Sequence, residues 1–174
     1  MSNVVVTLFV VALLLVAVMT WSQASFGSLD SGAQSWKEMA DTATEVSRTD
    51  IEVTDAREQG SYVEVDVRNC GEIHLAGFAD WDVITHHYDT TGTYHISRLS
   101  YTGNSTPAGG QWTVADIYTD DTMAQEEMFE PGILNPGEVM VVRMRLSPDA
   151  GPGTTNWVIV STSNGVASSA QFTG

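Results

Sequence analysis

The feature that most constrains this chain is an apolar run near its N-terminus, where Thr7 is the only polar side chain from Val4 to Met19. The sequence has no charged residue before Asp30, although it carries 22 acidic and 7 basic residues in total. At a rise of about 1.5 Å per residue this run makes a helix of roughly 24 Å, slightly shorter than the ~30 Å hydrocarbon core of a bilayer. A helix that is apolar on every side has to be buried, either in lipid or in protein.

Three interpretations of the run are open. A secretory signal peptide would use Ser22-Gln23-Ala24 as its cleavage site, but such signals normally begin with Lys or Arg and none precedes Val4. A membrane anchor is the usual interpretation of a retained run, but the first basic residue is Lys37, so no flanking charge sets an orientation. In the third interpretation the helix packs against copies of itself and forms the core of a helical assembly.

The segment that follows favours the third interpretation. No proline occurs from Thr20 to Thr49, and apolar side chains recur there at the intervals of three, four and seven that are typical of a helix with one apolar side. These positions are Phe26, Leu29, Trp36, Met39, Ala43 and Val46. We therefore predict one helix from about Asn3 to Arg48, roughly 65 to 70 Å long.

The rest of the chain predicts an all-β head. Short segments of alternating apolar and polar side chains are separated by turn residues, and helical periodicity is almost absent. The predicted strands are 51–53, 62–68, 81–88, 94–101, 112–118, 139–146, 156–162 and 166–172, with a turn at 56–61 between the first two. We expect an α+β chain in which a long N-terminal hydrophobic α-helix (1–49) precedes an antiparallel immunoglobulin-like β-sandwich head (50–174).

Composition limits the function. A formal net charge of −15 argues against nucleic-acid binding, because phosphate contacts need clustered bases and the few here are scattered. The single cysteine, Cys70, cannot form an internal disulfide, and its place in a strand pattern predicts burial. We also expect the strand tryptophans Trp81, Trp112 and Trp157 to lie in the core.

The sequence contains no motif that predicts catalysis, so we expect neither an enzyme nor a cofactor. His86 and His87 beside Asp89 suggest a metal site, but neighbours on a strand point to opposite faces, so solvated strand positions are the better interpretation. The acid-rich segment 116–130 lacks the spacing of a calcium loop and is interpreted as a solvated charge run. Asn104 begins the only N-x-[ST] sequon, in a turn-rich loop, and is a candidate N-glycosylation site.

Four motifs occur in order along the head and carry a family resemblance. They are Val65-Asp66-Val67-Arg68-Asn69-Cys70-Gly71, Trp81-Asp82-Val83-Ile84, Leu134-Asn135-Pro136-Gly137-Glu138 and Ser163-Asn164-Gly165-Val166. With the apolar N-terminus and the long helix, this arrangement resembles the archaellins, the type IV pilin-like subunits of the archaeal swimming filament. Two features depart from the family pattern: the charged leader is missing, as expected of a mature chain that begins at Met1, and Val5 replaces the glutamate of bacterial type IV pilins.

The resemblance implies a structural subunit of an extracellular helical filament, such as an archaellum, that polymerises with itself and with related subunits and meets the membrane only before assembly. The predicted filament-core residues are Val4, Val5, Val6, Leu8, Phe9, Val10, Leu13, Leu14, Leu15, Val18, Met19 and Trp21. The residues predicted to pack the helix against the head are Phe26, Leu29, Trp36, Met39 and Val46. Two alternatives stay open: an adhesive type IV-like pilin, and a membrane-anchored binding module that grips the cell envelope as an archaellum accessory protein. An exposed apolar or aromatic patch on the head would mark the binding module.

Overall fold

A computed structural model describes residues 2–174 of the chain, without the side chains of residue 2 and residues 24–31. One α-helix, α1, spans Ser2–Arg48, which confirms the predicted helix to within a residue. The chain forms two compact units, Met1–Ala43 and Thr44–Gly174, so the last turn of α1 belongs to the second unit. The predictions for Phe26 and Leu29 concern side chains that lie outside the described residues.

Eight strands follow the helix, each where a strand is predicted. They are β1 (Ile51–Gln59), β2 (Tyr62–Asn69), β3 (Asp82–Tyr88), β4 (Tyr94–Tyr101), β5 (Gln111–Tyr118), β6 (Val139–Arg145), β7 (Thr155–Ser161) and β8 (Ala167–Thr173), with a short 3-10 turn at Phe78–Asp80. The first strand is longer than predicted, because Ala56 to Gln59 pair with β2 and only Gly60 and Ser61 remain as the turn. Gly60 has a φ of 67°, which a glycine adopts without steric cost.

The eight strands are hydrogen-bonded in one continuous order, β1-β2-β6-β5-β4-β3-β7-β8, and we describe its two four-stranded halves as the first and the second sheet. The first sheet has the order β1-β2-β6-β5 and the second the order β4-β3-β7-β8, and neighbours within each sheet are antiparallel. The two sheets are joined by a short parallel contact between β4 and β5, where Ser100 pairs with Gln111 and Tyr101 with Trp112. The predicted α+β class, an apolar helix followed by a mostly antiparallel sandwich, is confirmed.

The core of the head is built from the inward side chains of both sheets. Alternate residues of each strand face the opposite sheet. Each Å² of apolar surface that they bury stabilises the fold by about 25 cal/mol. The fully buried apolar residues are Val65, Val67, Val83, Trp112, Leu134, Met140, Val142, Met144, Val158 and Val160. All the residues of this core lie between Ile51 and Phe172, so the sandwich has its own hydrophobic core.

The tryptophans of the strand region divide between core and surface. Trp81 and Trp112 are buried, as predicted. Trp157 is 39 % exposed, so its predicted core position is wrong. Its neighbours Asn156 and Val158 point inward and are fully buried, and strand alternation then places Trp157 on the outer face.

The motif Asn69-Cys70-Gly71 joins the end of β2 to the end of the helix. Asn69 is fully buried and donates its side-chain amide to the carbonyls of Ile73 (2.8 Å) and Leu134 (2.9 Å). The backbone N–H groups of Cys70 and Gly71 both donate to the carbonyl of Asp50. These contacts fix the strand end against the residues that follow α1.

The predicted burial of Cys70 is wrong. Its thiol is exposed, because Cys70 follows the last residue of β2 and no longer alternates with the buried positions. The Sγ atom lies 3.7 Å from Oε2 of Glu52. Partial desolvation, together with the Glu52 carboxylate, raises the pKa of the thiol above its ordinary value.

Candidate interaction surfaces

The first candidate surface is the apolar part of α1. The segment Asn3–Gln23 has 21 residues and a mean hydropathy of 2.8, so it is long and apolar enough to cross a membrane. None of its 18 most apolar consecutive residues is buried. At about 1.5 Å per residue this segment is about 31 Å long. The length of roughly 24 Å that was expected from Val4 to Met19 is therefore too short.

Every large apolar side chain in this segment is exposed, including the residue with the least exposure, Val10 at 49 %. Contiguous apolar surface of this extent is normally covered by lipid or protein. The twelve residues predicted to form a filament core all belong to this surface, and their role in assembly stays a prediction. They are Val4, Val5, Val6, Leu8, Phe9, Val10, Leu13, Leu14, Leu15, Val18, Met19 and Trp21.

The second half of the helix carries further exposed apolar side chains. Trp36 is 74 % exposed and Met39 is 64 % exposed. Val46, in the last turn of α1, is 37 % exposed. The expected packing of these three residues against the head stays a prediction.

The second candidate surface is the outer face of the second sheet, which we call the aromatic face. It consists of Ile84, His86, Tyr88, Tyr94, Ile96, Trp157 and Ile159. Strand register places them side by side: His86 pairs with both Ile96 and Trp157, and Tyr88 pairs with Tyr94. Ile96 is 62 % exposed, and the rings of Tyr88 and Tyr94 lie 5.0 Å apart. The head therefore has the exposed apolar and aromatic patch that would mark a binding module.

The aromatic face is electrically neutral in a strongly acidic protein. The outward positions of β3, β4, β7 and β8 carry one acid, Asp82, and one base, Arg98. These two side chains form an ion pair across β3 and β4. A negatively charged partner can approach this face without meeting an unpaired carboxylate.

The outer face of the first sheet is different, because it is charged and paired within the chain. Arg57 binds Asp66 at 2.5 Å, and Arg143 binds Glu64 at 2.8 Å. The hydrogen bond to Asp66 is the main reason that the pKa of Arg57 is raised. These ion pairs leave few groups on this face that require an external partner.

A third exposed feature is an apolar pair at the tip of the long connection between β5 and β6, which we call the apolar tip. Met128 is 81 % exposed and Phe129 is 92 % exposed, although Glu126, Glu127 and Glu130 surround them in the sequence. The backbone N–H of Phe129 donates to Oε1 of Glu127 at 2.6 Å, and this bond is the main reason that the pKa of Glu127 is lowered. The expectation of a solvated charge run overlooked the apolar pair inside it.

His87, His95 and Asp89 form a histidine cluster that the sequence did not reveal. His87 is fully buried, so the expectation that it is solvated is wrong, and its ring stacks on that of His95 at 5.4 Å. Its Nε2 lies 3.0 Å from the carbonyl of Pro148, while His95 is 2.9 Å from Asp89. Burial is the main reason that the pKa of His87 is lowered, so the ring is neutral near pH 7. In the described part of the chain, no group of three or more His, Cys, Asp or Glu residues is arranged to hold a metal ion.

The sequon residue Asn104 is exposed in the loop between β4 and β5. Its backbone N–H lies 3.3 Å from the hydroxyl of Thr102. An exposed loop is where a glycan is accepted, and glycosylation of Asn104 stays a prediction.

Comparison of the chain with known proteins identifies its fold. No family model and no curated protein matches the sequence. The structure is similar to the archaellum periplasmic stator protein FlaG from Sulfolobus acidocaldarius, at 20 % identity over 71 % of this chain and 99 % of that chain, with a TM-score of 0.50. It is similar to the FlaF and FlaG periplasmic stator complex from the same organism, at 19 % identity over 70 % and 87 % of the two chains, with a TM-score of 0.50.

A further solved structure of similar fold is the archaeal flagellin FlaB1 from Methanocaldococcus jannaschii. It is 11 % identical over 72 % of this chain and 89 % of that chain, with a TM-score of 0.53. The chain therefore has the fold of archaellum proteins, as the four motifs predict. The fold is common to stator proteins and to a filament subunit.

Proposed function

We propose that this chain is a component of an archaellum-type assembly, anchored in the membrane by Asn3–Gln23 and binding a protein partner outside the membrane through the aromatic face. The observation that carries the proposal is the apolar segment itself. A helix of these 21 residues matches the thickness of a bilayer core. Between Val4 and Trp21 the only polar side chains are those of Thr7 and Thr20. Both threonines donate their hydroxyls to carbonyls one turn earlier, which removes the cost of placing them in lipid.

The head supports the binding role. The aromatic face presents large, rigid side chains on hydrogen-bonded strands, and such residues supply much of the energy of protein interfaces. The structure of this chain is similar to that of the stator proteins FlaF and FlaG, which are described as a periplasmic complex. An anchored head of the same fold with an exposed aromatic face is suited to a comparable role.

A filament subunit is the second candidate, and the apolar surface of α1 favours it as well. In that role the helices of many copies bury Asn3–Gln23 against one another, and the heads form the outer layer. The similarity to FlaB1 supports this candidate. An adhesive filament would use the same helix.

Fractionation of cells that make the full-length chain tests the proposal. Surface filaments are removed by shearing, the membranes are washed with alkaline carbonate, and the chain is followed by mass spectrometry in each fraction. The anchored component stays in the washed membranes until detergent is added. Recovery of most of the chain in sheared filaments would overturn the anchor and establish the filament subunit.

A further inference from the structure

The apolar tip and the aromatic face are both exposed apolar surfaces of the head. We propose that the apolar tip of one copy binds the aromatic face of a second copy, so that heads associate head to tail. The inference rests on the proposed function, because it names the partner of the aromatic face. The two surfaces lie on different parts of the head: Phe129 follows β5 in the first sheet, whereas Trp157 lies on β7 in the second.

Charge supports this pairing. Glu126, Glu127 and Glu130 flank the apolar tip, so its partner needs an apolar surface without unpaired acids. The aromatic face meets this condition, because its one acid, Asp82, is paired with its one base, Arg98. A chain with 22 acids and 7 bases is strongly acidic overall, so a neutral face repels an acidic tip less than an average part of the surface does.

Both surfaces are held in place before they meet. Glu127 donates its backbone N–H to the carbonyl of Ile117 at 2.7 Å, and its carboxylate accepts the N–H groups of Phe129 and Glu130. Glu130 in turn accepts the N–H of Ile133 on its carbonyl at 3.0 Å. A tip fixed in this way loses little conformational entropy on binding, and the strands of the aromatic face lose little either.

The contact also has a chemical rationale. Phe129 can pack edge to face on Trp157, and Met128 can place its flexible thioether against Ile96 or an aromatic ring. A two-fold contact between two aromatic faces would instead leave both tips exposed. A tip-to-face contact is heterologous, so repeated association gives a ring if the rotation closes and an open polymer if it does not.

Cysteine cross-linking in full-length chains tests the contact directly. In a Cys70→Ser background, one chain carries Met128→Cys and a second, differently tagged chain carries Ile96→Cys, so that Phe129 and Trp157 stay intact. After co-expression, mild oxidation of the isolated membranes should give a mixed disulfide at least tenfold above that of a control pair in which Glu58→Cys replaces Ile96→Cys. Glu58 is exposed on β1, outside both surfaces.

Further variants separate the alternatives. Phe129→Ser in the first chain, or Trp157→Ser in the second, should each lower the mixed disulfide about tenfold, and Arg98→Glu in the second should lower it several-fold. A mixed disulfide no stronger than the Glu58→Cys control, or self-linking of Ile96→Cys chains in its place, would overturn the proposal. The same membranes are then washed with alkaline carbonate. If the wash releases chains that are not cross-linked, the membrane anchor is refuted. If the chains stay in the membranes but do not cross-link, only the tip-to-face contact is refuted.

Discussion

The side-chain amide of Asn164 donates a 2.7 Å hydrogen bond to the hydroxyl of Thr49, which is separated from it by 115 residues. Thr49 follows the last residue of α1 and is buried, and its own hydroxyl donates to the carbonyl of Glu45. Asn164 lies in the turn between β7 and β8 and accepts a 2.6 Å bond from Thr162. The last hairpin of the head thus holds the end of the helix.

Removing this link should destabilise the head. Asn164→Ala leaves Thr49 and Thr162 each without one partner, which should lower the free energy of unfolding by about 1 to 2 kcal/mol. Urea unfolding of the full-length chain in detergent, followed by tryptophan fluorescence, measures the change. Ser163→Ala, at the exposed neighbouring position, is the control, and equal stability of the two variants would show that the link contributes nothing.

The close approach at Gly71 predicts a second destabilised variant. A Cβ atom there would lie 2.6 Å from the carbonyl oxygen of Arg48 and 2.6 Å from the nitrogen of Asp50, and both are backbone atoms that cannot rotate away. Gly71→Ala should therefore cost about 1 to 3 kcal/mol. The matched change Gly103→Ala meets nothing within 4 Å and should be almost neutral in the same urea titration. If Gly71→Ala left the free energy of unfolding unchanged, the backbone of Arg48 and Asp50 would have to move away from the added methyl group at little cost.

The buried His87 predicts a loss of stability in weak acid. Its pKa in the folded chain lies below the ordinary value of 6.5, so the unfolded chain binds the extra proton first. The stabilisation is complete above about pH 6.5 and decreases as the pH falls towards the folded pKa. The groups that face the ring are His95, Asp89 and the carbonyl of Pro148.

Unfolding free energies measured from pH 8 to pH 5 check this expectation. His87→Phe cannot titrate, so it should be less stable than the unaltered chain at pH 8 and the difference should shrink as the pH falls. His74→Gln changes an exposed histidine and serves as the control. A difference that stays constant with pH would show that His87 does not titrate in this range.

The two classes of strand tryptophan predict opposite mutational costs. Trp112 is fully buried, so Trp112→Ala should destabilise the head by about 3 to 5 kcal/mol. Trp157→Ser, at a partly exposed position, should cost less than about 1 kcal/mol. Thermal unfolding by circular dichroism measures both, and a large loss from Trp157→Ser would contradict its outward orientation.

A charge in the apolar helix should block localisation without unfolding the head. Leu13→Asp places a carboxylate in the middle of Asn3–Gln23, where translocon insertion scales give a cost of about 2.5 to 3.5 kcal/mol. The variant should be lost from washed membranes and from filaments alike, while the circular dichroism of its β-structure is retained. Leu13→Ile is the control, and normal localisation of Leu13→Asp would remove the helix from both candidate functions.

The sequence predicted the helix, the eight strands and their approximate bounds. Apolar residues recur about every 3.6 positions in the helix and every second position in the strands, and both periods can be seen in the sequence. It did not predict that Trp157 points outward. β7 is apolar in both phases of its alternation, with Trp157 and Ile159 in one and Val158 and Val160 in the other, so only packing decides which phase meets the opposite sheet. The aromatic face was missed for this reason.

The apolar tip and the histidine cluster were missed for a different reason. Met128 and Phe129 stand in a loop, where no period indicates which side chains return to the core. His87, His95 and Asp89 come from β3, β4 and the turn between them, and they meet Pro148 only because β3 also packs beside β7 and the loop before it. Such contacts depend on register between distant strands.

The sequence by itself determined that α1 is a helix and that its first half has to be buried, because a side chain's hydrophobicity and its spacing from the next are local properties. The motifs that contain Asn69, Gly71 and Asn164 are recognisable in the sequence, but only the tertiary structure shows that these residues hold the end of the helix. Only the tertiary structure decided that the head has one neutral aromatic face and one charged face. Which of two alternating faces turns outward is fixed by how the two sheets pack together, and no single strand contains that information.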